Sequence, residues 1–165
     1  MSTVNTILGT MRRLDERTGA VRVEDVYDTD IDDLWSAITE PGRLARWIAV
    51  VEGELTIGGE IQARFTSTWE GAGRIDVCDA PHHLLLTMEP GTDHEAQIEA
   101  VLSVEDGCTR LVIEERGLPL EEIHKHGAGW QAHIEDLGRY LNGGESNWKP
   151  RWVELSSDYE ALPVQ

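Results

Sequence analysis

Cysteine occurs twice and phenylalanine once in this chain of 165 residues. Cys78 and Cys108 both fall in strand-like segments, and free, buried thiols are expected there rather than a disulfide. No stretch approaches the ~18 apolar residues that a membrane-spanning helix needs, so membrane insertion is excluded. Met1-Ser2-Thr3-Val4-Asn5 lacks a basic segment leading into an apolar one. No secretory leader is visible, and a cytoplasmic protein is expected. Basic residues are scarce: 14 Lys and Arg face 31 Asp and Glu, a net charge of −17 with His neutral. Such a surface repels phosphate backbones and excludes nucleic acid as a partner. Like charges form no block long enough for a tail.

Recognisable cofactor and metal motifs are missing too. No Cys/His cluster has zinc spacing. No nucleophile elbow, phosphate loop or dinucleotide glycine pattern occurs. Gly71-Ala72-Gly73 is too short for one and reads as a bend. No cofactor and no metal are expected.

What is present suits one globular domain: 40% of the residues are apolar, enough to bury a core. Thr6 to Asp15 can form an extra strand, turning at Arg17-Thr18-Gly19 into an outer strand that ends at Tyr27. Asp30 is a good helix N-cap, with Asp32 and Asp33 where the helix dipole favours negative charge. Ile31, Leu34, Trp35 and Ile38 share one helical face, and Pro41 stops the helix. A second short helix runs from Gly42 to Ile48 and turns Leu44 and Trp47 inward.

Strands follow. Gly58-Gly59 marks a turn. Ile61, Ala63, Phe65, Ser67 and Trp69 alternate with polar partners along one strand. Arg74 to Cys78 forms another, and Leu84 to Met88 a short, largely buried one. Asp106-Gly107 is a strong two-residue hairpin signal. With those two residues as the loop, Glu105 faces Cys108, Val104 faces Thr109, Leu102 faces Leu111, Ala100 faces Ile113 and Ile98 faces Glu115. All but one of the side chains on the inward face are apolar or small. The exception is the Glu115 carboxylate, which must be paired, hydrogen-bonded or protonated if it lies inside.

A long amphipathic helix from about Leu120 to Leu141 closes the domain. Ile123, Trp130, Ile134, Leu137 and Leu141 form its apolar stripe. His126 and His133 lie along the stripe's edge, about 10.5 Å apart, too far to share a metal. Gly127 and Gly129 each cost about 1 kcal/mol there and suggest a break. Asn142-Gly143-Gly144 ends the helix. Residues 145–150 read as a linker, and Trp152, Leu155 and Tyr159 as a short tail helix folding back.

This order of elements resembles the SRPBCC or START-like helix-grip superfamily. The branch it is most similar to is a bacterial one, named after the activator of the heat-shock-protein-90 ATPase. The residues that carry the resemblance are Asp32-Asp33-Leu34-Trp35-Ser36-Ala37-Ile38-Thr39-Glu40-Pro41 with Leu44 and Trp47, then Gly58-Gly59. Glu114-Glu115-Arg116-Gly117, Gly129-Trp130 and Leu137-Gly138-Arg139-Tyr140-Leu141 complete it. The resemblance spans about residues 20–143. It implies an α+β fold in which a curved antiparallel sheet of six to seven strands grips the last long helix, with two short helices after the first strand. Residues 1–18 would be an N-terminal extension, 19–143 the helix-grip domain, and 144–165 a linker and tail helix.

The resemblance also implies an elongated cavity between sheet and helix. Six Trp beside one Phe suit flat pocket walls. The expected ligand-binding residues are Trp35, Trp47, Phe65, Trp69, Glu115, His126, Trp130 and His133. Glu115 with His126 or His133 would make the polar contacts to a small apolar or amphipathic molecule. Catalytic residues are not indicated. Two alternatives share the fold: a co-chaperone-like interaction module, with a homodimer or protein partner, and a polyketide cyclase or dehydratase using the same cavity. An interior polar cluster favours a small-molecule ligand; a filled interior with an exposed apolar patch favours a protein partner.

Overall fold

A computed structural model describes residues 6–165; Met1–Asn5 lie outside the described residues. Eight strands form one antiparallel sheet in the order β1-β2-β8-β7-β6-β5-β4-β3. They are β1 (Gly9–Arg13), β2 (Thr18–Tyr27), β3 (Ala49–Gly53), β4 (Glu60–Phe65), β5 (Glu70–Asp79), β6 (His83–Met88), β7 (Ala96–Glu105) and β8 (Cys108–Pro119). The helices are α1 (Ile31–Thr39), α2 (Pro41–Trp47), α3 (Ile123–Leu141) and α4 (Trp148–Ala161). A single 3-10 turn, Leu120–Glu122, leads into α3.

Local chemistry sets the start of α1. The Asp30 carboxylate accepts the Asp33 N–H at 2.8 Å, and Leu34, Ala37 and Ile38 are buried on the opposite face. Pro41 then opens α2, where a missing N–H costs nothing. These two helices carry the chain from β2 to β3 at the far edge of the sheet. The β7–β8 hairpin turns at Asp106 and Gly107, both with positive φ, 49° and 80°. That is the two-residue turn whose twist matches the strands. Its register pairs Ile98 with Glu115, Ala100 with Ile113 and Leu102 with Leu111. On the other face, Arg12 and Arg116 bind Glu114, and Arg116 also binds Glu99, as a ladder of ion pairs.

Several local expectations are corrected. The 61–69 alternation is not one strand. The chain turns after Phe65, with Thr68 at φ 74° and its N–H bonded to the Phe65 carbonyl. Gly71 and Gly73 do not bend the chain; they lie inside β5, opposite Ala63 and Ile61. A methyl at Gly71 would strike the Glu89 carboxylate first and then the Trp69 ring at 2.8 Å, and one at Gly73 the Met88 sulfur at 2.9 Å. Cys78 is exposed and Cys108 half-buried, not buried. Each sits at the end of its strand, where the core has run out.

α3 is unbroken through Gly127 and Gly129. Those residues leave room for α4 instead. A methyl at Gly127 would lie 3.3 Å from the Tyr159 ring, and one at Gly129 3.5 Å from Trp148. α4 starts at Trp148, inside the stretch expected to be a linker, and buries Leu155 and Tyr159 against Ala128 and Ala132. Gly127→Leu should therefore lift α4 from α3 at a cost of about 1–3 kcal/mol, the usual range for overpacking. The checks are a thermal melt and quenching of tryptophan fluorescence by acrylamide; an unchanged melt with unchanged quenching would show slack between the two helices.

The outer edge of β1 is covered. Gln165 accepts the Arg13 N–H and donates its own to Met11, alongside a parallel bridge between Met11 and Val164. The Leu8 N–H is taken by Gln131 at 2.9 Å.

Candidate functional site

α3 packs against β2 and β1 and touches α2. α1 and α2 cover β3 and part of β7 and β8, and a pocket of about 780 Å³ opens beside α3 over Phe65, Met88 and Ile98. Its walls come from Phe65, Met88 and Ile98 on the sheet, Trp130 and His133 on α3, and Trp148 and Trp152 on α4. Exposed residues at the Glu16–Arg17 turn, at Asp93–His94 and at Glu121 and Lys125 form the mouth. The volume lies within the range of small-molecule sites.

Six of the eight residues named from sequence line this pocket: Phe65, Trp69, Glu115, His126, Trp130 and His133. Trp35 and Trp47 do not. Trp47 is 2% exposed and spends its indole N–H on the Ala37 carbonyl at 2.9 Å, pinning α2 to α1. Trp35 packs, partly buried, against the same core. Both sit on short helices beside the core, so inward orientation did not bring them to the pocket. Trp148 and Trp152 were not expected there. Their spacing of four residues was a usable helical signal, hidden because residues 145–150 read as a linker.

Glu115 points inward and is 9% exposed. Its Oε1 accepts the Trp130 indole N–H at 2.9 Å and lies 3.3 Å from His126 Nδ1. Arg64 and Arg74 do not reach it; Arg74 pairs with Asp76 at 2.6 Å. Burial pulls the His126 imidazole down, but the hydrogen bond and charge of Glu115 outweigh it and the net shift is upward.

His133 behaves in the opposite way. It is 4% exposed, and burial alone pushes its pKa down to about 3, so the ring is neutral. Its Nδ1 is buried with no hydrogen-bond partner. Aromatic rings surround it: Phe65 at 5.9 Å, Trp130 at 5.6 Å and Trp148 at 5.4 Å between centroids. Trp148 in turn stacks on Trp152, and Phe65 meets Trp69 edge-on. The tail tryptophans are fixed by their indole N–H groups, Trp148 to the Gly129 carbonyl at 3.0 Å and Trp152 to that of Lys125 at 3.1 Å. An apolar enclosure with one carboxylate and two imidazoles can hold an amphipathic molecule and exchange a proton with it. Among the described residues, no group of three or more His, Cys, Asp or Glu is placed to hold a metal ion, and no helix is long and apolar enough to cross a membrane.

Comparison with solved structures finds the same fold in other proteins. CalU16 from Micromonospora echinospora aligns over 93% of this chain and 96% of its own, at 24% identity and a TM-score of 0.75. A protein from Enterococcus faecalis, described as conserved and of unknown function, aligns over 92% and 88% at 20% identity and a TM-score of 0.73. DynU16, from the dynemicin biosynthetic locus, aligns at 26% identity and a TM-score of 0.69. That match covers 76% of this chain but only 48% of DynU16, so the chain spans about half of it. Comparison with curated protein sequences gives no significant match. The sequence profile of one family, described as "Activator of Hsp90 ATPase homolog 1-like protein", matches residues 28–142, from the end of β2 through α3. With that match spanning most of its length and the helix-grip fold in place, the chain belongs to the activator of Hsp90 ATPase homolog 1-like family.

Proposed function

We propose that this protein binds a small apolar or amphipathic molecule in the pocket between the sheet, α3 and α4. The apolar body would lie against Phe65, Trp130 and the α4 tryptophans, and the polar end near Glu115, His126 and His133. The observation that carries this reading is Glu115. A carboxylate on the core face, held by an indole N–H beside a void of about 780 Å³, is costly as packing and useful as an anchor. Membership of a family with a ligand-binding type of fold, and likeness to a protein from a biosynthetic locus, support it.

Native mass spectrometry of freshly purified protein tests it. A co-purified adduct released on denaturation, or saturable uptake of the neutral dye Nile red, is the expected result. Bare protein mass together with no dye uptake would defeat the reading.

The contact between His126 and Glu115 favours a second reading, in which the bound molecule is cyclised or dehydrated. Glu115 would orient His126 through Nδ1 and leave Nε2 to move a proton. Conversion of a bound molecule that stops in His126→Gln, with binding retained, would support it; unchanged conversion would end it.

A further inference from the structure

The charge of the ligand can be argued further, on the basis that the pocket binds a small molecule at all. Glu115 Oε1 faces both the Trp130 N–H and His126, while among the described residues no hydrogen bond is made to Oε2. The side chain is mostly buried, and Oε2, not sealed off from the pocket, is an acceptor open to a ligand. The mouth leans the same way. Glu16, Asp93, Glu121 and Glu122 line it against only Arg17 and Lys125. Both cations belong to exposed segments, and among the described residues the one ion pair of Glu115 is with His126. The walls are rings whose faces carry partial negative charge and attract cations, Trp most of all. A carboxylate or sulfonate entering this pocket would meet Glu115 with only the His126 imidazole to offset the repulsion.

We propose that the pocket selects an organic cation, an amine or quaternary ammonium carried on an apolar or aromatic body, and rejects fatty-acid-type anions. The positive group would sit at Glu115 Oε2 and the body against Trp130, His133 and the Trp148–Trp152 stack. His126 is then an internal competitor for the same carboxylate. Glu115 on β8 and Glu122 on the 3-10 turn face it, with Lys125 beside it on α3. Its side chain is over one-third exposed, so it can be replaced without opening the core.

Three probes with one body decide the matter: 6-(2-naphthyl)hexyl-trimethylammonium, the corresponding alcohol and the corresponding carboxylate, each displacing Nile red. The ammonium should bind about tenfold more tightly than the alcohol, and the carboxylate weakest of the three. Glu115→Gln keeps an acceptor for the Trp130 N–H and should erase the advantage of the ammonium over the alcohol. If that variant fails to fold, His126→Gln gives the second test, because removing the competitor should tighten ammonium binding several-fold. Equal binding of ammonium and alcohol, a preference for the carboxylate, or no gain in His126→Gln would overturn the proposal. In those cases the alcohol still binds and the pocket reading survives. If none of the three binds, the pocket reading falls and takes this proposal with it.

Discussion

Trp130→Ala is expected to destabilise the fold by about 3–5 kcal/mol. The residue belongs to the main core cluster as well as to the pocket wall. Its ring touches His133, and its N–H is the hydrogen-bond donor that Glu115 has from an indole. Truncation removes the ring and also strips a donor from a buried carboxylate. Against a total stability of ~5–15 kcal/mol, the loss should lower the melting temperature by many degrees. Trp130→Phe separates the two contributions. It keeps an aromatic ring and removes the donor, so its cost should be about 1–3 kcal/mol. Urea unfolding of both variants measures this. A Trp130→Ala cost below that of Trp130→Phe would mean the ring lies against the void and packs little. Its place in the core cluster as well as the pocket wall makes folding the first property that truncation should disturb.

The second large effect is on acid stability. His133 is neutral in the fold, with its pKa pushed down from 6.5 to about 3 by burial, while in the unfolded chain it titrates near the ordinary value. Between those two pH values the unfolded state holds the extra proton, so stability must fall as pH falls. His126 has the opposite sign. Its raised pKa adds stability that is fully present below 6.5 and is lost as pH rises through the folded value. Carboxylates held low by their partners, such as Glu99 and Glu114, lose their contribution only on approaching and passing below their ordinary value of 4.5. The window from pH 6.5 to 4.5 therefore isolates His133. The slope builds to about 1.36 kcal/mol per pH unit as the unfolded ring protonates, so about 2.3 kcal/mol of stability should disappear across it. His133→Phe, which fills the same aromatic enclosure without titrating, should flatten that slope. Urea unfolding at half-unit steps in pH provides the measurement. Wild-type stability that is level from 6.5 to 4.5 would show that the ring takes up its proton inside the fold.

Much of this was readable in the chain because local chemistry and tertiary packing agree. The Asp30 cap, the Pro41 boundary and the Asp106-Gly107 turn are each decided within a few residues, and the hairpin register then orients every side chain from Ile98 to Glu115. A slip of one residue there would have sent Glu115 to solvent. The glycines were less transparent. Gly127 and Gly129 look like helix breakers, yet what they answer to is Tyr159, Trp148 and Trp152, some twenty to thirty residues later. Gly71 and Gly73 similarly answer to Trp69 and Met88. A missing side chain reports a close approach without saying by what. That Trp35 and Trp47 lie away from the pocket is not legible for a related reason: hydrophobic periodicity distinguishes inside from outside, but not a filled interior from a void.

The cover over β1 bears on how copies of this chain could associate. A sheet with two bare edges can add neighbours without limit, each new copy offering the edge its predecessor has just used. Here Val164 and Gln165 occupy the outer side of β1 around Met11 and Arg13, and Gln131 takes the Leu8 N–H. Among the described residues, no strand pairs with the outer side of β3, which ends at Gly53 with φ 122°. Edge-to-edge pairing through strands then has one socket per molecule. Pairing through that edge closes after two copies, whereas growth into a longer array would need β1 to shed Val164 and Gln165 first.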